Sequence, residues 1–289
     1  MNQSTATRLE IQKLKTLPPL SPQTQDVLAV IDDSEVSLEK LSDLLEACPS
    51  LAARLIGLAN SAYFGRSGSV HTVKDAVINV LGLSVVRGIA VSILIGDVLD
   101  ARKCKYFQSH QYWFVSVLTG MLTQQLAMVV DEKPDPGIAY TTGLLFNLGL
   151  LALANVVPGE LSDALKDAEQ PGESVAGLLG QRFGFNQYEA GSWLAARWQL
   201  PEVFRDVLSG LGDPQYSGDS EVLVDLIQVS ARLAKEIYES GDDSPIESVG
   251  ISKLGISTND LNRVLRRNQA KLDELRDLSR VLSGEKNHG

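Results

Sequence analysis

Apolar and polar residues alternate with a helical period along nearly the whole chain. Leucines at positions 38, 41, 44 and 45 form one apolar face, which is the spacing of an amphipathic helix. Ser37 precedes this face and is suited to cap the helix, because its hydroxyl can accept a hydrogen bond from a free backbone N–H. We find no run of alternating β-branched residues of the kind that predicts a strand. The pattern therefore predicts an all-α fold.

Breaks in the pattern divide the chain into a series of helices. Prolines mark several of these breaks, as in the Leu-Pro-Pro-Leu-Ser-Pro segment of residues 17–22 and at Pro49, where the missing N–H costs a first helical turn nothing. Residues 210–218 are the clearest linker. The predicted helices span residues 7–17, 38–47, a stretch that begins at Pro49, 73–81 with Thr72 as its cap, 83–100, 109–130, 137–157, 174–183, 186–198, 201–208, 221–239 and 257–282.

Two of these helices differ from the rest in composition. Residues 137–157 are almost entirely apolar, which is typical of a buried central helix. The final helix is rich in charge but carries one apolar stripe, which we expect to pack back on the body of the protein. The three tryptophans lie on apolar helical faces, and we expect all of them in the core. The stripe consists of Leu261, Val264, Leu265, Leu272, Leu275 and Leu278, and the tryptophans are Trp113, Trp193 and Trp198.

Composition narrows the class of protein. The chain has 289 residues, of which 44% are hydrophobic, and a chain of this length buries roughly three quarters of its unfolded surface. The formal net charge of −10 disfavours direct binding to nucleic acid or to an anionic membrane, because both need clustered Lys and Arg. Cys48 and Cys104 form no Cys-x-x-Cys pair and are expected to be free thiols. Residues 1–15 lack the apolar run of a signal peptide, so we expect a cytoplasmic protein.

The most informative motif is Gly-Leu-Leu-Phe-Asn-Leu-Gly-Leu at residues 143–150. Together with six other segments it resembles the bacterial HDOD domain, a degenerate relative of the HD metal phosphohydrolases. The resemblance extends over residues 17–282 and implies an HD-domain-like multi-helix bundle with an N-terminal helical lobe and a long C-terminal helix. The other segments are residues 17–22, 48–55, 58–65, 73–77, 81–87 and 198–201.

The resemblance also implies a subdivision of the chain. Residues 1–16 would be an N-terminal extension, and residues 17–100 the N-terminal lobe of the HDOD domain. Residues 101–215 would form the HD-like core, and residues 216–289 would be C-terminal helices packed on that core.

HD phosphohydrolases hold metal ions with histidine and aspartate, because imidazole and carboxylate are good ligands for Zn, Mn and Fe. The bound metal then lowers the pKa of a water molecule and polarises a phosphoryl oxygen. In this chain the positions that match those ligands carry none of these side chains, so the resemblance implies no metal, no cofactor and no catalytic residue. The vestigial positions are Val115, Phe146, Asn147, Gln187 and, with less certain alignment, Ala231. The three histidines, His71, His110 and His288, lie outside these positions.

Three residues are candidates for contact with another protein. Arg54 and Arg87 flank leucine stripes, and arginine is favoured at interface hot spots; the alternative is an ion pair within the protein. Asn60 follows a helix and is a candidate for recognition, or else it caps the helix end by bonding free carbonyls. We therefore expect a non-catalytic bacterial regulator that acts by protein–protein contact. The implied partners are receiver, sensor kinase or cyclic-dinucleotide modules, and the sequence leaves the oligomeric state open.

Two alternative functions remain at this point. One is a divergent metal-dependent phosphohydrolase that uses carboxylates such as Asp163, Asp167 or Asp225. The other is a small-molecule sensor that uses the pocket left by the metal, with Asn147 as a hydrogen-bonding residue. Phe146 would instead fill that pocket if the site is solidly packed.

Overall fold

The computed structural model describes residues 17, 20–31, 37–60, 70–78, 83–99, 101–240, 251, 253–269 and 272–283. No β-strand occurs among these residues, and the predicted all-α class is confirmed. The α-helices are α1 (Pro22–Ile31), α2 (Leu38–Glu46), α3 (Pro49–Ala59), α4 (Val73–Ala76), α5 (Leu83–Val98), α6 (Ser109–Ala127), α7 (Pro136–Leu144), α8 (Leu148–Val156), α9 (Pro158–Asp167), α10 (Val175–Phe183), α11 (Gln187–Arg197), α12 (Glu202–Gly212), α13 (Glu221–Ser240), α14 (Thr258–Gln269) and α15 (Leu272–Ser283).

Local capping chemistry places several helix starts where the sequence predicts them. The Ser37 hydroxyl accepts a hydrogen bond from the Lys40 N–H at 3.2 Å, and the Thr72 hydroxyl accepts one from the Asp75 N–H at 3.0 Å. Pro49 lies in the first turn of α3. The two hydroxyls bond amide N–H groups that have no partner within their own helix, and the proline has no N–H that would need one. The predicted caps at these helix starts are therefore confirmed.

The apolar stretch predicted as one helix over residues 137–157 forms two helices. α7 ends at Leu144 and α8 begins at Leu148. Between them, Leu145 has φ and ψ of −96° and 6°, and Asn147 has −112° and 25°, which lie outside the α-helical region. The single-helix prediction is wrong, because hydrophobic periodicity alone does not show where a buried apolar run is interrupted. Pro136–Val156 is also the described stretch that is long and apolar enough to cross a membrane, and 78% of its most apolar window is buried within the fold.

The predicted long C-terminal helix contains α14 and α15, and the two residues between them, 270 and 271, lie outside the described residues. All six apolar residues of the predicted stripe are buried, so the stripe does pack on the body of the protein. Each of the two stretches is also held by a contact of its own. In α14 the Asn268 side chain bonds Gln125, and in α15 the Arg276 carbonyl lies 3.2 Å from His110 Nε2.

Residues 210–218 are not a linker, although their glycines suggested one. α12 continues to Gly212, and the hydroxyl of Tyr216 donates to Asp206 Oδ2 at 2.6 Å. A Cβ on Gly210 would lie 2.9 Å from the Tyr216 ring, so this glycine permits a close approach. Two helices are absent from the sequence prediction, α1 and α9, and each begins at a proline, Pro22 and Pro158.

Contacts divide the chain into two units, each assembled from separate segments. Within unit 1, α8 packs against α9 and α11, and α11 packs against α12. Within unit 2, α1 to α4 pack on one another, and the rings of Phe114 in α6 and Tyr238 in α13 lie 5.2 Å apart. The subdivision predicted from the sequence stays a prediction, and the predicted helix 7–17 lies outside the described residues except for Leu17. Unit 1 comprises Met1–Leu20, Gly96–Ser109 and Phe146–Val224, and unit 2 comprises Ser21–Ile95, His110–Leu145 and Asp225–Gly289.

Candidate functional site

Phe146 and Asn147 lie in the turn between α7 and α8. Phe146 is buried, with 5% of its surface exposed, whereas Asn147 is half-buried. The backbone leaves the helix at this point: the Leu145 N–H still bonds the Thr141 carbonyl at 3.0 Å, but the Leu150 N–H bonds the Asn147 carbonyl three residues back. The two central residues of the motif are thus presented by a turn and not by the face of a continuous helix.

The glycine that follows this turn allows two helices of unit 1 to touch through their backbones. A Cβ on Gly149 would overlap the carbonyl oxygen of Gln187 and the amide nitrogen of Gly191. A Cβ on Gly191 would lie 3.1 Å from the amide nitrogen of Gly149. No side chain larger than hydrogen fits at Gly149, so this glycine fixes the crossing of α8 and α11. It also places Gln187 beside the segment that carries Phe146 and Asn147.

The glycine that precedes the turn has an equivalent role in unit 2. A Cβ on Gly143 would lie 2.8 Å from Thr123 Oγ1 and 3.0 Å from the Cα of Gly120. A Cβ on Gly120 would in turn lie 2.8 Å from the Tyr140 carbonyl oxygen. α6 and α7 therefore also meet at backbone distance. The two glycines that bracket Phe146 and Asn147 are explained by packing, one in each unit.

Gln187 is the first residue of α11 and only 5% of its surface is exposed. Asn186 caps the helix: its Oδ1 accepts from the amides of Tyr188 at 2.9 Å and Glu189 at 3.1 Å. Burial raises the pKa of Tyr188, and a side-chain hydrogen bond with Gln187 offsets part of that rise. The Oε1 atom of Gln187 is buried without a hydrogen-bond donor among the described residues. A buried carbonyl of this kind normally has a partner, often a water molecule.

Val115 and Ala231 belong to unit 2. Val115 lies on α6 and Ala231 on α13, and both are half-buried. The two helices are in contact through Phe114 and Tyr238. The structure therefore brings Phe146, Asn147 and Gln187 into unit 1, and it places Val115 and Ala231 on neighbouring helices of unit 2.

The donor atoms at these positions do not fit the metal ion of an HD phosphohydrolase. Valine, phenylalanine and alanine cannot ligate, and the two amides offer neutral oxygens that are poor ligands for a transition-metal dication. Among the described residues no group of three or more His, Cys, Asp or Glu side chains is arranged to hold a metal. No step of metal-assisted hydrolysis can therefore be assigned to these five residues.

The carboxylates of the alternative enzyme hypothesis are distributed over both units, and two of them form ion pairs. Asp163 is exposed on α9, and Asp167 forms an ion pair with Arg182 within unit 1. Asp225 belongs to unit 2, where its Oδ2 lies 2.8 Å from Lys253 Nζ. Two of the three are therefore engaged by cations of the protein itself.

The candidate interaction residues differ in what surrounds them. Asn60 bonds Val70 and its own helix: its Nδ2 donates to the carbonyls of Val70 at 2.7 Å and Ile56 at 3.1 Å, and its Oδ1 accepts from the Val70 N–H at 3.0 Å. The Ile56 contact is the helix-end bond that the sequence offered as the alternative to recognition. Arg54 is exposed on α3. Arg87 lies in α5, and its side chain is outside the described part of the protein.

Sequence reasoning missed two features of unit 1. Trp113 and Trp198 are buried as predicted, but Trp193 is 37% exposed and rests against Phe185 with ring centroids 4.9 Å apart. The prediction for Trp193 is wrong, because helical periodicity alone does not show which apolar residues of a helix reach the core. The second feature is a bond between Arg197 and the Leu17 carbonyl, and no sequence signal links residues 180 positions apart.

Known proteins resemble this chain in sequence or in fold. One relative is an uncharacterised protein of Treponema pallidum (strain Nichols), 26% identical over 197 residues. The match covers 66% of this chain but only 36% of that protein. The chain therefore spans about a third of the length of this relative.

Solved structures show the same fold. A protein of Marinobacter aquaeolei VT8 assigned to signal transduction superposes with a TM-score of 0.79 at 23% identity, over 98% of this chain and 67% of its own. A Geobacter sulfurreducens HDOD domain protein of unknown function gives 0.75 at 20% identity, over 96% and 97%. A Shewanella amazonensis SB2B protein assigned as a phosphohydrolase gives 0.71 at 21%, over 93% and 97%. The model of the HDOD domain family matches residues 17–210, and the chain belongs to that family.

Proposed function

We propose that this protein is a non-catalytic signal-transduction domain of a bacterial cytoplasm and that it acts by binding other signalling proteins. The observation that carries the proposal is the donor set: five positions that match metal ligands of HD phosphohydrolases hold two amides and three side chains that cannot ligate. The proposed partners are receiver, sensor kinase or cyclic-dinucleotide modules. The assignment of the Marinobacter protein to signal transduction agrees with this role.

The packing around the vestigial positions supports binding rather than chemistry. Gly143 and Gly149 each hold a helix pair at backbone distance, so the helices that would present metal ligands remain closely packed. Close-packed helices present a surface of fixed shape, and a fixed surface lowers the entropic cost of binding a partner. The scaffold thus keeps what a binding domain needs, while its five vestigial positions carry no imidazole or carboxylate.

Elemental analysis together with turnover assays tests the absence of catalysis. The purified chain is expected to contain no stoichiometric Zn, Mn or Fe, and to turn over neither mononucleotides nor cyclic dinucleotides when Mn²⁺ is added. A known HD phosphohydrolase prepared in the same way provides the positive control. Stoichiometric metal together with phosphodiesterase or nucleotidase turnover would overturn the proposal.

Binding is tested with the intact chain and three arginine variants as baits in the native organism. The Arg54→Ala and Arg87→Ala baits are each expected to capture at least tenfold less of a signalling partner than the wild-type bait. Arg263→Ala is the matched control, because Arg263 is an exposed arginine of unit 2 that forms an ion pair with Asp260 in its own helix. Equal capture by all four baits would exclude the two arginines as contact residues.

A small-molecule sensor is the second candidate, and the buried Oε1 of Gln187 favours it. An acceptor without a donor among the described residues is suited to a ligand that donates a hydrogen bond. Native mass spectrometry tests the sensor hypothesis by comparing the wild type with Gln187→Leu and Gln181→Leu. Gln181→Leu is the control, because Gln181 is an exposed glutamine of α10. A copurified molecule lost only from Gln187→Leu would support a sensor. Electron density for water alone beside Gln187 would argue against one.

A further inference from the structure

Arg197, the last residue of α11, bonds the backbone at Leu17. Its Nη2 and Nε atoms donate to the carbonyl oxygen of Leu17 at 2.8 and 3.3 Å. Hydrogen bonds from a guanidinium are charge-assisted and roughly twice as strong as neutral ones. The forked geometry also fixes the direction of the carbonyl, which a lysine could not do. The backbone at Leu17 is therefore held to α11.

The same segment is anchored by its side chains. Leu17 and Leu20 are both buried, with 2% and 4% of their surfaces exposed, and both belong to unit 1. We call Leu17 and Leu20 the N-terminal segment. A displacement of Leu17 would pull on Arg197, because the forked hydrogen bond joins Leu17 to the C-terminal turn of α11.

The opposite end of α11 forms the crossing with α8. Gln187 and Gly191 meet Gly149 at backbone distance, and ten residues of helix separate Gln187 from Arg197, a length of about 15 Å. Side chains can absorb a small displacement by changing rotamer, but a contact between two backbones cannot. A displacement of α11 along its axis must therefore move α8, which begins directly after Asn147.

We propose that the contact between Arg197 and Leu17 is an input point, and that α11 transmits a displacement of the N-terminal segment to the turn at Phe146 and Asn147. The turn at Phe146 and Asn147 would then change position when Leu17 is displaced, and it would not serve only to pack the core. Arg197 is a positioning residue in this scheme. The proposal concerns coupling inside unit 1 and stands whichever partner the domain binds.

Arg182 offers a matched control for Arg197. It is also an arginine of unit 1 that donates to a backbone carbonyl, that of Glu160 at 3.1 Å, and it forms an ion pair with Asp167. Its contacts join α10 to α9 and involve neither the N-terminal segment nor the crossing at Gly149. Arg182→Ala therefore also removes a guanidinium bond to a backbone carbonyl, but it should leave the contact at Leu17 and the crossing at Gly149 unchanged.

Hydrogen–deuterium exchange of the full chain, followed by mass spectrometry, tests the proposal in the wild type, Arg197→Ala, Arg197→Lys and Arg182→Ala. Arg197→Ala is expected to speed exchange about tenfold in residues 148–156 and 187–197, the change expected when one charge-assisted hydrogen bond is lost. Arg197→Lys is expected to restore part of the protection, because it keeps the charge but loses the fork. Arg182→Ala is expected to affect residues 158–167 and 175–183 only.

Two results would overturn the coupling. In the first, Arg197→Ala speeds exchange near residues 17–31 and at the last turn of α11 while residues 148–156 keep their wild-type rate. In the second, residues 110–127 of unit 2 accelerate by the same factor as residues 148–156, which would show a general loss of stability. If Arg197→Ala does not fold, the comparison between Arg197→Lys and the wild type decides by the same criteria.

Discussion

Gly149 and Gln187 meet so closely that a methyl group on the glycine would overlap the glutamine carbonyl oxygen. This contact joins the motif of residues 143–150 to a helix that begins 38 residues later. It explains why the motif needs a glycine after Asn147 although the metal ligands are absent. The glycine is a requirement of the helix crossing and not a remnant of metal binding.

Gly149→Ala should therefore destabilise the protein strongly. The added methyl group meets backbone atoms on both sides and no rotamer change can relieve the overlap, so we expect a loss of about 3 kcal/mol or more in the free energy of unfolding. Urea denaturation followed by circular dichroism measures it. Gly57→Ala is the matched control, because Gly57 lies in α3 with no atom within 4 Å of an added Cβ. It should stabilise the protein by about 0.5–1 kcal/mol. A Gly149→Ala protein as stable as the wild type would contradict the close crossing.

Asn60→Ala should cost about 2 kcal/mol, because it removes the side chain that bonds Val70 on both its N–H and its carbonyl. Asn60→Asp is the control, since it keeps the acceptor for the Val70 N–H and loses only the donor. Denaturation of the two variants and the wild type gives the comparison. If Asn60→Ala lost partner binding while its stability stayed unchanged, Asn60 would be a recognition residue and not a residue that stabilises the fold through Val70.

Gln125 and Asn268 form a reciprocal amide pair that holds α14 to α6. Each side chain donates to the other at 3.2 Å, and Asn268 Nδ2 also donates to the Val264 carbonyl at 2.7 Å. We expect Asn268→Ala to cost about 1–3 kcal/mol, because Asn268 is buried and its loss leaves the Gln125 amide without its partner. A double-mutant cycle with Gln125→Ala should show a coupling of about 1 kcal/mol. Strict additivity of the two losses would mean that the pair contributes no interaction of its own.

Features set by local chemistry could be predicted from the sequence. The hydroxyls of Ser37 and Thr72 and the ring of Pro49 act on their own helix within one turn, so the pattern of residues is sufficient. The all-α class and the burial of the C-terminal stripe follow from periodicity in the same way. The family resemblance rested on short segments spread over the whole chain, and the family match covers residues 17–210.

Features set by contacts distant in sequence could not be predicted. The interruption after Leu144 occurs in a run without proline, between the close helix contacts at Gly143 and Gly149. Trp193 is as apolar as Trp198, and only the orientation of α11 decides that one is exposed. The bond from Arg197 to Leu17 joins two residues whose types carry no signal for each other.

Burial of Tyr112 should make the protein less stable at alkaline pH. Burial raises the pKa of this hydroxyl well above its ordinary value near 10. The unfolded chain therefore releases the proton first as the pH rises, and it binds fewer protons than the folded chain above pH about 10. The free energy of unfolding consequently falls with rising pH in that range, whereas below it the tyrosine contributes its full stability.

Tyr112→Phe separates this effect from other titrations. Tyrosinate absorbance near 295 nm, measured against pH, should show the same number of ionising tyrosines below pH about 11 in the folded variant and the folded wild type. In concentrated urea the variant should show one fewer. The alkaline fall in stability should also be shallower in the variant. Loss of one ionising tyrosine from the folded variant would show that Tyr112 is accessible to hydroxide.

Restoring the two central ligands should not restore a metal site. Phe146→His together with Asn147→Asp returns the side chains that HD phosphohydrolases use, but Gln187, Val115 and Ala231 still offer no anionic or imidazole donor. Two ligands are too few for the four-coordinate or larger sites that these metals occupy, so we expect no stoichiometric Mn, Zn or Fe after dialysis. Inductively coupled plasma mass spectrometry measures the metal, and Phe146→Leu is the control for disturbed packing. Stoichiometric metal in the double variant would show that only the central pair had been lost and would weaken the argument for a binding scaffold.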